Sequence, residues 1–366
     1  NGEAAAARYL QSNFQDLGYV TEIQEFLVED VALAGKGLTL STQDSPDPRE
    51  FAAMPLAGSG LGDVSGVLTP VGLALPGDIP DSGLEDSIAL AKRGAIRSQN
   101  KAENVFAAGA VGLVIYNSSF RNFRGVLATQ PEFPVLFISG EAGEEIEQLL
   151  AESDVRGSIK LALEDLLSGN VIAEKKGAGP GDDVVVLGGH YDSVSGIAGT
   201  NDNAPGTAVL LAIAWKLTNV DLPFTLRIVP FGSEELGLLG SQYYVQSLTD
   251  RELEKIKVML NFDALGSGSG SSVFGSSELT DLIKATQMEA GEEVAVTRGI
   301  SGGTSDFASF QDSGVPFLMF YGDDLIRIHS DRDTIEFVQP DLLESAVSAA
   351  VTLIQSPKSA EFVDLE

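Results

Sequence analysis

The sequence predicts an α/β fold around a twisted, largely parallel sheet. Two observations carry that prediction. From about residue 170 onward, short apolar strand-like runs alternate with longer amphipathic helical patterns. Polar and acidic residues then gather just past the carboxyl ends of those runs, where open α/β sheets bind their ligands.

The elements follow in order. Glu3–Leu17 reads as a helix, and VTEIQEFLVED as a strand. STQDSPDPREFAAMPLAGSGLGD is rich in Pro and Gly and reads as a linker. Between about 55 and 163, DVSGVLTPVGL, SIALAKRG, VGLVIYNSS and FPVLFIS are short apolar strands, with AENVFAAGA and GEEIEQLLAES as helices. The α/β pattern then begins. DVVVLGG, FTLRIVPFG, VMLNFDALG and VPFLMFYG are strands, while PGTAVLLAIAWKL, SQYYVQSL, SELTDLIKATQMEAG and PDLLESAVSAAVTLIQS are helices. SGSGSS (267–272) reads as a flexible loop, and Gly188 and Gly189 as a tight turn at the end of the first of these strands.

Composition narrows the chemistry. The hydrophobic fraction, 43%, is enough to build sizeable cores. No apolar run approaches the length of a membrane span, and the N-terminal stretch is not a signal peptide. A net charge of −30 excludes nucleic acid and argues against anionic membranes, because phosphate binding needs clustered Lys and Arg. The same acidity suits a secreted protein. Without cysteine there are no disulfides, thiol nucleophiles or thiolate metal sites. Any metal must therefore use imidazole and carboxylate.

The chain has only two histidines, and both lie in acidic segments past strand ends. His190 and Asp192 follow VVVLGG, and Asp202 lies in GTNDNAPG before the next helix. Glu234 and Glu235 follow FTLRIVPFGS, and Asp263 follows VMLNF. Asp323, Asp324 and then His329 follow VPFLMFYG. Carboxylates gathered at one sheet edge repel unless a cation neutralises them. Two metals with three protein ligands each and one shared carboxylate need a set the size of His190, Asp202, Glu235, Asp263 and His329. Bland roles compete: Asp192 as a turn cap, Asp202 as the cap of the helix near Pro205, the Glu pair as an exposed first turn.

HYDSV, GTNDNAPG, FGSEELGLLGS, NFDALG and IHSDRDT together resemble the five metal-site motifs of the co-catalytic zinc aminopeptidase family. Glutamate carboxypeptidase, glutaminyl cyclase and transferrin receptor are relatives in that family. IALAKRG, NKAENVFAAGAVGLVIYN and FPVLFIS resemble an inserted protease-associated domain. The resemblance implies a three-layer α/β/α zinc-peptidase fold over 1–48 and 166–366, with a mixed, mostly parallel sheet, and a β-rich insertion over 49–165. It implies two Zn2+ per chain, one held by His190 and Asp263, the other by Glu235 and His329, with Asp202 bridging. Glu234 becomes the general base, Asp192 orients the His190 ring, and the Asp202–Asn203 peptide bond is expected to be cis. The implied substrates are peptides with a free N-terminus, cleaved by a secreted monomer.

Two positions depart from the pattern. Relatives often carry Tyr before the second ligand histidine as an oxyanion donor; this chain has Ile328, with Tyr321 as a substitute candidate. Where relatives read Ser-Asp-His, it has Phe307. Two other activities and one non-catalytic role are the alternatives. A carboxypeptidase would need a basic cluster, for which Arg298, Arg327 and Arg332 are candidates. A glutaminyl cyclase would need one metal, and a non-catalytic receptor-like relative would lack ligands that this chain retains.

Overall fold

A computed structural model describes residues 2–42, 47–118, 127–194, 197–300, 303–330 and 332–364. Helix α1 (Gly2–Asp16) buries Ala7, Leu10 and Phe14, one helical stripe, and leads into the long strand β1 (Val20–Thr42). The stretch read as a linker instead carries β2 (Arg49–Ala52) and β3 (Met54–Pro55), and its residues 43–46 lie outside the described ones. Then come β4 (Gly62–Pro70), β5 (Ser87–Lys92), α2 (Ser98–Ala107), β6 (Gly112–Tyr116), β7 (Val135–Ile138) and α3 (Gly140–Glu152). Strand β8 (Val155–Lys175) was not anticipated. It pairs antiparallel with β1 from Val20↔Glu174 to Thr42↔Val155, with one irregularity between Leu33 and Leu38.

The α/β part runs β9 (Val184–His190), α4 (Ala204–Leu217), β10 (Thr225–Phe231), α5 (Leu239–Ser247), α6 (Asp250–Lys255) and β11 (Ile256–Phe262). It continues through β12 (Ser271–Gly275), α7 (Ser277–Ala290), β13 (Ala295–Val296), α8 (Phe307–Gln311), β14 (Phe317–Gly322) and α9 (Pro340–Gln355). Local chemistry sets the ends: Asn203 caps α4 by accepting from the Gly206 N–H, and Gly291 closes α7 in the left-handed region at φ 78°.

Among the described residues the strands form one hydrogen-bonded sheet in the order β13-β12-β14-β11-β9-β10-β8-β4-β5-β6-β7-β3, with β1 and β2 on a branch from β8. Strands β10, β9, β11 and β14 are mutually parallel, while β12 runs antiparallel to β14 and β8 antiparallel to β10. Alternation along β9 makes three layers. Val185 and Leu187 join a core with side chains of α1, α4, α7 and α9. Val184 and Val186 face the opposite core, with Tyr244 of α5 and Phe310 of α8. Beyond β8 the insertion has its own cores, one on each face of its sheet. Leu38 and Leu40, at the far end of β1, pack there.

Gly188 and Gly189 are paired strand residues rather than a turn. A Cβ on Gly188 would meet Phe231 Cε2 at 2.5 Å, and one on Gly189 would meet the Phe262 carbonyl at 2.3 Å. They admit close packing of neighbours on β9. The segment 267–272 is also pinned: Ser271 opens β12, and the Ser269 N–H and hydroxyl donate to Asp323 at 2.7 and 2.5 Å.

Candidate metal centre

The chain leaves β9 toward β10 on one side and later toward β11 on the other. That divergence opens a crevice at the carboxyl end of β9, the switch point where such sheets bind ligands. His190 ends β9, Glu234 and Glu235 follow β10, Asp263 follows β11, and His329 follows β14. The structure brings all of them together with Asp202. His190 Nε2 lies 3.1 Å from Asp202 Oδ1 and 3.4 Å from Asp263 Oδ1. His329 Nε2 lies 2.9 Å from Asp202 Oδ2 and 3.3 Å from Glu235 Oε2. Two triads result, His190/Asp202/Asp263 and Asp202/Glu235/His329, sharing one carboxylate. Glu234 Oε2 stands 4.0 Å from His190 Nε2, on the rim of the first triad.

Asp192 does more than face the ring. Its main-chain carbonyl is 3.1 Å from His190 Nδ1 and its Oδ1 is 3.5 Å away. Its two carboxylate oxygens accept the N–H groups of Glu234 and Glu235 at 3.0 and 3.1 Å. One residue thus meets the imidazole, most closely through its carbonyl, and with its carboxylate holds the loop carrying both glutamates. Asp202 does not cap α4; Asn203 does. The Asp202–Asn203 peptide bond is cis. Asn203 Nδ2 donates to the carbonyls of His190 and Phe262, and its Oδ1 also accepts from Ala264 N–H. Four residues at these loops hold positive φ without being glycine: Ser233 at 54°, Leu238 at 64°, Ala264 at 51° and His329 at 59°. Such backbone costs of order 1–3 kcal/mol each and clusters at functional sites.

The electrostatics are those of a site built for positive charge. Burial disfavours a charged His190 ring, yet Glu234, Asp263, Asp192 and Asp202 hold its pKa well above the usual imidazole range. Burial likewise opposes His329, and Asp202 and Glu235 raise it to about 10. Burial would push the Asp202 carboxyl up, but the two histidines hold it well below the usual range. Burial drives Glu234 well above the ordinary carboxylate value; His190 opposes this, and Glu235, Asp306 and Asp263 reinforce it. The buried Asp263 Oδ1 takes no hydrogen bond. A buried carboxylate oxygen without a donor, among imidazole nitrogens and further carboxylates, is the donor set that zinc or a similar divalent ion accepts.

Other residues singled out in the sequence serve elsewhere. Asp323 holds Ser269 and Gly270, and Asp324 pairs with Arg327, whose guanidinium lies 4.0 Å over the Phe337 ring. Arg332 pairs with Glu141 of α3 at 3.0 Å, and Arg298 is exposed. The Tyr321 hydroxyl is bonded to Thr297 Oγ1 at 2.9 Å. Phe307 stacks on Phe317, with ring centroids 4.4 Å apart, as a core residue. Sequence reasoning missed Asn203, Asp306 and Asp333. Asp306 is fully buried, and burial raises its carboxyl to about 7. The insertion touches this region through Ala52 and Met54, which cluster with Val194 and Ile197 of the loop between His190 and Asp202.

The chain resembles known proteins over nearly its whole length. The sequence pattern of peptidase family M28 matches residues 170–354, and that of the PA domain matches residues 63–146. The chain is 31% identical over 354 residues to an aminopeptidase of Pseudomonas aeruginosa, covering 86% of this chain and 64% of that protein. It is 30% identical over 400 residues to aminopeptidase YwaD of Bacillus subtilis, covering 98% of this chain and 81% of the relative. The crystal structure of a Bacillus subtilis zinc aminopeptidase superposes with a TM-score of 0.78 at 28% identity, covering 99% of this chain and 91% of the other. No helix among the described residues is long and apolar enough to cross a membrane.

Proposed function

We propose, from the premise that this chain belongs to peptidase family M28 and carries an inserted PA domain, that it is a metallo-aminopeptidase removing the N-terminal residue from peptides. The observation that carries this is the sharing of Asp202, one oxygen toward each histidine, between two triads. His190 and Asp263 would hold one Zn2+, Glu235 and His329 the other, and Asp202 would bridge them. Ions bound there would supply Lewis acidity, lowering the pKa of a water and polarising the scissile carbonyl.

The protein's own groups do the rest. Glu234 is the general base: it takes a proton from the attacking water and passes it to the leaving amine, and its carboxylate stands 4.0 Å from His190 Nε2, beside the shared triads. Asp192 keeps Glu234 and Glu235 in register by holding their amides. Carboxylates around the crevice attract a free α-ammonium group, which favours a substrate's N-terminus over its interior. Arg327 and Arg332 already pair with Asp324 and Glu141, which weakens the case for a clamp on a C-terminal carboxylate. We assign 1–48 and 166–366 to the catalytic domain and 49–165 to the insertion, with β1 and β8 as strands that serve both. The acidic surface suits a secreted monomer acting on peptides.

The test is Glu234→Ala. It should retain two zinc ions by elemental analysis, with hydrolysis of aminoacyl-nitroanilides reduced about 10²–10⁴-fold. Near-normal turnover would remove Glu234 from the role. An N-acetylated peptide cleaved as fast as its free-amino counterpart would overturn the aminopeptidase reading.

A further inference from the structure

Asp333 lies four residues beyond His329 and is 2% exposed. Its Oδ1 accepts the Asn201 N–H at 2.6 Å and its Oδ2 accepts the Asp202 N–H at 3.2 Å. One oxygen of this buried carboxylate is therefore committed to the main chain of Asp202, whose own carboxylate faces both histidines, and the other to the residue just before it. Asn201 is held from the other side, where its Oδ1 accepts the Gly266 N–H at 2.7 Å. The segment is gripped between the loops after β11 and β14. The arrangement repeats what Asp192 does for Glu234 and Glu235, but in the opposite sense: here the loop carrying His329 holds the loop carrying Asp202.

We propose that Asp333 is a positioning residue of the metal centre. By holding the amides of Asn201 and Asp202 from the loop that carries His329, it sets how Asp202 presents one oxygen to each triad. The inference rests on the two-metal reading above. A carboxylate accepts two N–H bonds at once. An amide of the same shape accepts one and turns its own NH2 toward the second peptide N–H, so Asp333→Asn disturbs this grip with little change in volume.

The experiment titrates Co2+ and Zn2+ into metal-free wild type and Asp333→Asn by calorimetry, and records the absorption spectrum of the Co2+-loaded proteins. Wild type should bind two ions. The variant should bind at least one of them about 10–100-fold more weakly, with a changed Co2+ spectrum and a fall in kcat larger than any rise in KM. If Asp333→Asn melts at a lower temperature yet binds both ions with wild-type affinity and an unchanged spectrum, Asp333 only ties two loops and the inference is wrong. If wild type itself binds fewer than two ions, the two-metal reading fails and takes the inference with it. Should Asp333→Asn not fold, Asp333→Glu keeps two acceptors on a longer stem and is read by the same outcomes.

Discussion

Side chains that bind no ion do much of the site's assembly, and Asn203 shows it most clearly. Its four hydrogen bonds reach the end of β9, the end of β11, the residue after Asp263 and the first turn of α4. Every partner is a main-chain group, so no other side chain can relax to replace it. Asn203→Ala leaves buried amides and carbonyls unpaired and uncaps α4. The combined loss should be about 2–4 kcal/mol, read as a lower urea midpoint at unchanged slope. A stability loss under about half a kcal/mol would mean that the surrounding backbone positions itself. None of this was legible in GTNDNAPG, where Asp202 drew the eye as both helix cap and ligand. The sequence shows which residue types can bind a metal; it does not show which neighbour spends its polar atoms on the backbone behind them.

At the scale of elements, the strand ends put the histidines and carboxylates in one crevice, and close strand packing keeps them there. Gly189 lies under the carbonyl of Phe262, the residue before Asp263, and an added Cβ would sit 2.3 Å from that oxygen. Gly189→Ala must push β9 from β11 or break their pairing. We expect about 1–3 kcal/mol of destabilisation from overpacking and weakened metal binding on the His190/Asp263 side, with Glu235 and His329 less affected. Metal affinity equal to wild type at both positions would show that β11 absorbs the shift. The glycine pair was visible in the sequence, but its reason was not, because a turn glycine and a packing glycine look alike without their neighbours. The same limit explains β8. Its EDLLSGN stretch has the polar and small residues of a turn, yet it stays extended because β1 supplies a partner along its length. The six site residues that end or follow β9, β10, β11 and β14 were legible for the opposite reason. Strongly apolar runs are unambiguous, and two histidines in 366 residues leave few alternatives.

Over the whole molecule, a chain of net charge −30 carries a buried carboxylate cluster, and that makes its stability depend jointly on pH and metal. In the metal-free protein the histidines are held protonated by their carboxylate neighbours, His329 up to about 10. A raised histidine stabilises the fold fully below its unfolded value near 6.5, and that contribution fades as pH rises through about 10. Asp306, raised to about 7 by burial, acts in the same direction: its contribution is present below the unfolded value near 4 and lost as pH rises through about 7. Metal-free protein should therefore melt at progressively lower temperature from about pH 5.5 to pH 10. Divalent metal reverses the trend. Its ligands must be deprotonated, so affinity rises with pH, and metal at a thousandfold excess over its Kd adds about 4 kcal/mol. Melting curves at pH 5.5, 7, 8.5 and 10, with chelator or with Zn2+, should diverge steadily as pH increases. Parallel curves, or a metal-free protein that gains stability between pH 5.5 and 9, would mean that the cluster does not exchange protons for metal. The two triads would then be ion pairs of the fold rather than a binding site.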